Sequence, residues 1–126
     1  MEKELHTMAE IQDMAKSLGQ ALGRTPEYQT LDRAMKSAND DRDMVELKNE
    51  IEKMESAFQT VLSQGQQPGQ EAVEEYENTI RKLQALSSYQ SLVAAQANFE
   101  KVMAHVNQSI QAGMVEGAAS RIIIPS

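Results

Sequence analysis

Leu18-Gly19-Gln20-Ala21-Leu22-Gly23-Arg24-Thr25-Pro26-Glu27-Tyr28-Gln29-Thr30-Leu31 decides how this chain folds, because a helix stop and a helix start both fall inside it. Gly23 is expected in the left-handed position that closes a helix, since it has no Cβ to clash there. Thr25 is expected as the next N-cap, its hydroxyl accepting from a free amide of the following turn. Pro26 then takes the first helical position, where a missing N–H costs nothing and φ is already set. Two helices joined with almost no loop force the chain to turn sharply.

Upstream of this junction, Met8, Ile11, Ala15, Leu18 and Leu22 alternate spacings of three and four, which places them on one helical stripe. Downstream, a second helix is predicted from Pro26 to about Ala38, with Tyr28, Leu31, Ala34 or Met35, and Ala38 inward. Asp40 is the expected cap of the third helix. There Met44, Leu47, Ile51, Met54, Phe58 and Val61 keep the three-four alternation for about five turns, a coiled-coil-like seam. Ser63-Gln64-Gly65-Gln66-Gln67-Pro68-Gly69-Gln70 is the clearest loop, because two glycines and a proline interrupt the pattern. A fourth helix offers Val73, Tyr76, Ile80, Leu83 and Leu86, and a fifth offers Leu92, Ala95, Phe99, Val102 or Met103, Val106 and Ile110. A kink or short break is expected at Ser87-Ser88. Nothing reads as a β-sheet.

These elements give an all-α fold: a bundle of about five helices with a long antiparallel helical hairpin, organised as a single domain over residues 1–112. Residues 113–126 are set apart as a tail beginning at Gly113 and containing Gly117 and Ile122-Ile123-Ile124-Pro125. Two readings of it stay open. It is a flexible end whose isoleucines dock on a helix groove, or an extended segment that pairs with the same tail of another subunit or with a partner. A faint echo also joins Pro26-Glu27-Tyr28-Gln29-Thr30-Leu31 to Ser87-Ser88-Tyr89-Gln90-Ser91-Leu92; shared capping at two helix starts accounts for it without a duplicated domain.

The 126 residues are 40% hydrophobic but only 4% aromatic and include no tryptophan, so the core must be aliphatic, with eight methionines as adaptable fillers. A net charge of −7 disfavours direct contact with bare nucleic acid, because the Lys and Arg residues form no cluster among the acids. The absence of cysteine excludes disulfides and thiolate-bound metals. The charged start, Met1-Glu2-Lys3-Glu4, does not resemble a secretory signal, and no apolar run approaches a membrane span, so a cytoplasmic location without membrane insertion is expected.

Residues that could carry chemistry do not converge. Neither His6 nor His105 has the Glu-x-x-His spacing of helical metal sites, so His6 is read as solvated and His105 as a rim or packing residue. Glu71, Glu74, Glu75 and Glu77 fall in the first turns of a helix, where acids favour the positive end of the dipole. Asn39-Asp40-Asp41-Arg42-Asp43 lacks the central glycine and terminal glutamate of a calcium loop. There is no phosphate-binding glycine loop. No catalytic residue, cofactor or metal ligand is assigned.

Ala15-Lys16-Ser17-Leu18-Gly19-Gln20-Ala21-Leu22, then Thr25-Pro26-Glu27-Tyr28 and Leu31, Ala38-Asn39-Asp40, the glycine-proline loop and Tyr89…Leu92…Ala95…Phe99 together resemble the YlbF/YmcA family of small bacterial helical proteins. The resemblance spans roughly residues 5–112. It implies an all-helical fold that forms dimers or larger assemblies, with no established enzyme activity. It also implies a link to competence, sporulation and biofilm development, and for some members a complex that influences messenger RNA processing by a membrane-anchored endoribonuclease. That complex is associated with iron–sulfur clusters, to which this chain has no cysteine to contribute. Where the family often has proline after the cap of a later helix, this chain has Asp41 and Ser88.

The reading is a non-enzymatic, self-associating helical adaptor or regulator whose partners are itself and other proteins. A chaperone-like or RNA-processing accessory module is the alternative, and a helical-bundle enzyme the reading from a different class. The interface candidates are Met44, Leu47, Ile51, Met54 and Phe58 on the third helix, Leu92, Phe99 and Val106 on the fifth, and Ile122, Ile123 and Ile124 in the tail.

Overall fold

The structure is a computed structural model that describes residues 2–123, with side chains described for residues 6–119. Five helices follow one another: α1 (Glu2–Gly23), α2 (Pro26–Asp40), α3 (Arg42–Ser63), α4 (Gln70–Ala85) and α5 (Ser87–Ile123). Among the described residues there is no strand, so the chain is all-α.

The α1–α2 junction uses its threonine fully. The Thr25 hydroxyl donates to the Leu22 carbonyl at 2.7 Å and accepts from the Tyr28 amide at 3.2 Å. One side chain thus adds a second bond to a last-turn carbonyl of the first helix and satisfies an orphan amide of the second. Gly23 departs from expectation. It remains helical, and the one glycine with positive φ among the described residues is Gly65, at 77°. The end of α1 closes instead through short backbone bonds, Arg24 to Ala21 and Thr25 to Leu22, each at 3.1 Å, so no left-handed residue is needed. Gly65 plays that role at the end of α3. Its amide bonds to Leu62 and that of Gln66 to Val61, the paired closure of a Schellman motif.

The other boundaries shift slightly. Asp41, not Asp40, caps α3: its carboxylate accepts from the Asp43 amide at 3.0 Å and the Met44 amide at 3.4 Å. Asp40 is instead the last residue of α2. A break does separate α4 from α5, but at Leu86, whose backbone is extended at φ −71° and ψ 134°. α5 then runs on through Gly113 and Gly117 to Ile123. An interior glycine weakens a helix by about 1 kcal/mol, yet it ends one only where the backbone turns to positive φ, and neither of these does. The extended-tail reading is therefore replaced by helix as far as Ile123; Ile124 and the residues after it lie outside the described residues.

The chain groups into two compact units, Thr30–Ala95 and Met1–Gln29 with Gln96–Ser126. The central unit, Thr30–Ala95, holds the core. Ala38, Met44, Ile51, Leu83 and Leu92 are buried together, with Leu31, Ala34, Leu47, Tyr76, Ile80, Leu86 and Tyr89 packed around them. The antiparallel run of α3 against α4 can be followed in the pairings. Phe58 meets Tyr76 edge-on with ring centroids 5.3 Å apart, and Ile51 and Leu83 both belong to the core cluster. Ser88, just past the break, reaches Met44. Partner numbers rise as α3 numbers fall. Thr79, the buried polar residue here, donates its hydroxyl to the Glu75 carbonyl at 2.8 Å and so leaves no unpaired group in the core.

The terminal unit is built differently. Tyr28 packs edge-on against Phe99 with centroids 5.5 Å apart, and Leu18 borders a groove with Val102, His105, Val106, Ser109 and Ile110 of α5. Phe99, Val102, Met103 and Val106 are half-buried, but no described side chain of this unit is fully buried.

Candidate interaction surface

The aliphatic seams divide between closing the core and facing solvent. Of the interface candidates, Met44 is 0% exposed, and Ile51 and Leu92 are also buried. These three close the core of the central unit, so they cannot meet a partner while that unit is intact. Leu47, Met54 and Phe58 are half-buried in the same unit, Phe58 occupied by Tyr76. Phe99 and Val106 are half-buried in the terminal unit. The backbone of Ile122 and Ile123 belongs to α5, while Ile124 lies outside the described residues.

The terminal unit carries an exposed apolar set in their place. Met8, Ile11, Met14 and Leu18 on α1, with Ile110, Met114 and Val115 on α5, are between 38% and 70% exposed. Sequence reasoning found the α1 stripe but did not nominate it. The signal was present, because Met8, Ile11, Ala15, Leu18 and Leu22 keep the same spacing as the α3 seam. The groove beside this set, about 510 Å³, is lined by Leu18, Val102, His105, Val106, Ser109 and Ile110. His105 is exposed and is one of its lining residues.

Grooves in the central unit have a different chemistry. One is lined by Glu52, Glu55, Ser56, Phe58, Gln59 and Leu62, and another by Asp43, Glu46, Leu47, Glu50, Lys82, Ala85 and Leu86. Both are rimmed with carboxylates. Three other acids are engaged along exposed helix faces: Glu77 pairs with Arg81 at 3.7 Å, Glu74 accepts from Gln70 at 3.4 Å, and Asp32 pairs with Lys36 at 2.9 Å. His6 likewise pairs with Glu10 at 3.0 Å, one turn on and exposed. Among the described residues no three His, Cys, Asp or Glu side chains gather around a point that could hold a metal ion. No described helix is long and apolar enough to cross a membrane.

One carboxylate has a specific tertiary role. Asp41 accepts a 2.6 Å bond from the Ser88 hydroxyl, joining the α3 cap to the start of α5. That bond is the largest cause holding the Asp41 carboxyl below its ordinary value of 3.8; partial burial opposes it, and the Met44 and Asp43 amides assist it. The tie is structural: Asp41 faces a capped helix end rather than a pocket.

Residues 11–114 match the family described as control of competence regulator ComK, YlbF/YmcA. The chain belongs to the YlbF/YmcA family. It is also similar to a UPF0342 protein of Staphylococcus saprophyticus, 29% identical over 98 residues that cover 78% of this chain and 86% of that one. A UPF0342 protein of Oenococcus oeni is 24% identical over 109 residues, covering 86% and 96% of the two chains. The span shared with the YlbF/YmcA family opens at Ile11 and closes at Met114, both in the exposed apolar set, and takes in the whole core of the central unit. It also contains both halves of the sequence echo, whose physical meaning the structure supplies. The Gln29 side-chain amide donates to the Gly23 carbonyl, and that of Gln90 to the Gln84 carbonyl, each at 2.9 Å. Each glutamine satisfies an orphan carbonyl at the end of the preceding helix. The repeated wording is repeated helix punctuation.

Proposed function

We propose that this YlbF/YmcA family member is a non-enzymatic cytoplasmic regulator that works by self-association and by contacts with other proteins. The family's description, control of a competence regulator, supports a regulatory role in bacterial development or in a complex that governs messenger RNA processing. The observation that carries the mechanism is the exposed apolar set of Met8, Ile11, Met14 and Leu18 with Ile110 and Met114. Apolar surface at helical spacing is the material of helix-on-helix recognition. The arrangement offers that kind of surface without a cluster of reactive groups beside it. Direct binding of nucleic acid has no support in the charge pattern, since the net charge is −7 and the cations are dispersed.

The test is site-specific photo-crosslinking in native cells, with the probe at Met14 on the face or at Lys53 on α3. The proposal expects protein adducts from Met14 and few from Lys53. Adducts to RNA from either position, or protein adducts from Lys53 alone, would overturn it.

A further inference from the structure

We propose that the groove between α3 and the end of α4 docks a basic amphipathic helix of a partner protein, its aliphatic side chains on Leu47, Ala85 and Leu86 and its Lys or Arg residues against Asp43, Glu46 and Glu50. This rests on the reading above of a protein that works through contacts with other proteins, and it names one such surface and the chemistry of its occupant.

The groove lies wholly inside the central unit, so the packed core beneath holds its walls in place. Its volume is about 380 Å³. Leu47 and Leu86 are half-buried and pack against the cluster that contains Met44, Ile51 and Leu83, while Ala85 is exposed beside them. Such a floor between two helices accepts the apolar side of an amphipathic helix. The other acid-rimmed groove of this unit is less suited, because all of its lining residues, from Glu52 to Leu62, come from α3 and no second helix flanks an inserted side chain.

Charge selects the occupant. Asp43, Glu46 and Glu50 stand at spacings of three and four on one face of α3, all exposed. Like charges one turn apart weaken a helix. Among the described residues, none of these three carboxylates enters an ion pair or a side-chain hydrogen bond. Elsewhere the chain supplies its own cation one turn on, as Lys36 does for Asp32 and Arg81 for Glu77. Lys82 lines the α4 wall of the groove but pairs with none of the three. A helix whose cations face α3 relieves a repulsion that the chain itself leaves standing.

Spacing rules out simpler occupants. Successive acids lie roughly 4.5 and 6 Å apart along the helix axis, which is also the spacing of basic residues three and four apart on a helix lying alongside. A metal ion needs its ligands gathered at one point, and no three His, Cys, Asp or Glu side chains among the described residues do so. A second copy of the chain, at a net charge of −7, is repelled from these acids, and so is a nucleic acid.

Fluorescence anisotropy of a labelled peptide on the full-length chain tests the proposal. The probe is a helix-forming peptide of about 15 residues, built from Leu, Ala and Lys with leucines and lysines on adjacent flanks. Saturable binding to wild type is expected. Glu46→Gln with Glu50→Gln alters exposed positions only and is expected to weaken binding about 10-fold. Glu52→Gln with Glu55→Gln removes the same charge from the other groove and is expected to change it less than about twofold. Serine in place of the peptide's leucines is expected to abolish binding. Circular dichroism checks that both variants fold. No saturable binding to wild type, equal loss in the two double variants, or undiminished binding of the serine peptide would overturn the proposal. None of these results touches crosslinking at Met14, or at Lys53, which lies outside the groove's lining; failure there is failure of the wider reading.

Discussion

Replacing Ile51 by alanine separates the two uses of the aliphatic seams. Ile51 is 7% exposed and sits in the core cluster with Met44, Leu83 and Leu92, so the three carbons removed come out of a packed interior. At ~0.8 kcal/mol per buried methylene, their transfer to water accounts for about 2.4 kcal/mol. A residual cavity of ~40 Å³ adds about 1 kcal/mol, because the neighbours collapse only in part. The expected loss of about 3 kcal/mol is a large share of the total stability of a domain this size, roughly 6–19 kcal/mol. The midpoint of thermal unfolding should fall by about 10 °C. Urea unfolding followed by circular dichroism, at one fixed protein concentration because association shifts apparent stability, measures it directly. The slope with denaturant should not change, since the same surface unfolds. The folded variant should elute from size exclusion as the wild type does, because Ile51 is buried in the core. A loss below about 1 kcal/mol would refute the placement of Ile51 in the core.

Three further outcomes follow from the helix boundaries. Thr25→Ala removes both bonds of the Thr25 hydroxyl at the α1–α2 junction and should cost about 1 kcal/mol in urea unfolding, with Thr25→Ser restoring most of it; equal stability of Thr25→Ala and wild type would contradict the cap. Gln29→Ala and Gln90→Ala should each cost ~0.5 kcal/mol and add in the double variant, as distant sites do, whereas a strong coupling between them would show that the two junctions are not independent clamps. Asp41 titrates below 3.8 when folded, so its contribution to stability is fully present above 3.8 and is lost as pH falls through the lower folded value. Carboxyl chemical shifts should follow that displaced titration, and Ser88→Ala should move it back up toward 3.8; an unmoved titration in Ser88→Ala would remove Ser88 as the cause.

The helices were legible because their signals are local. Three-four spacing of aliphatic residues, Thr25-Pro26 and the Gly65–Gly69 loop depend on backbone geometry and capping within a few residues, which a sequence displays directly. The boundaries that moved did so by competition among neighbouring candidates. Asp40 and Asp41 are equally good caps in isolation, and Ser88, distant in sequence, bonds to Asp41. Gly23 and Gly65 are likewise equivalent as residue types; short backbone bonds close α1 without a left-handed turn, whereas α3 closes through one at Gly65. Gly113 and Gly117 read as a stop because glycine is a poor helix residue, yet a weak link within a long helix is not a cap.

The candidate surface was less legible because a seam does not announce its partner. The α1 and α3 stripes share one spacing, but α3 finds α4 after a short loop and spends Met44 and Ile51 on it. On α1, Leu18 shares a groove with Val102, Val106 and Ile110, while Met8 and Ile11 remain exposed. Which stripe is consumed by the chain's own core depends on tertiary pairing, and that information is not in the periodicity.

Hydrogen exchange of the wild-type chain, over a wide range of protein concentrations, tests the proposed self-association without any substitution. If a second copy covers the terminal unit, amides along α1 around Ile11 and along α5 around Ile110 gain protection as concentration rises, while those of α3 around Ile51 keep the same protection throughout. Concentration-independent exchange along α1, or a gain confined to α3 and α4, would contradict it.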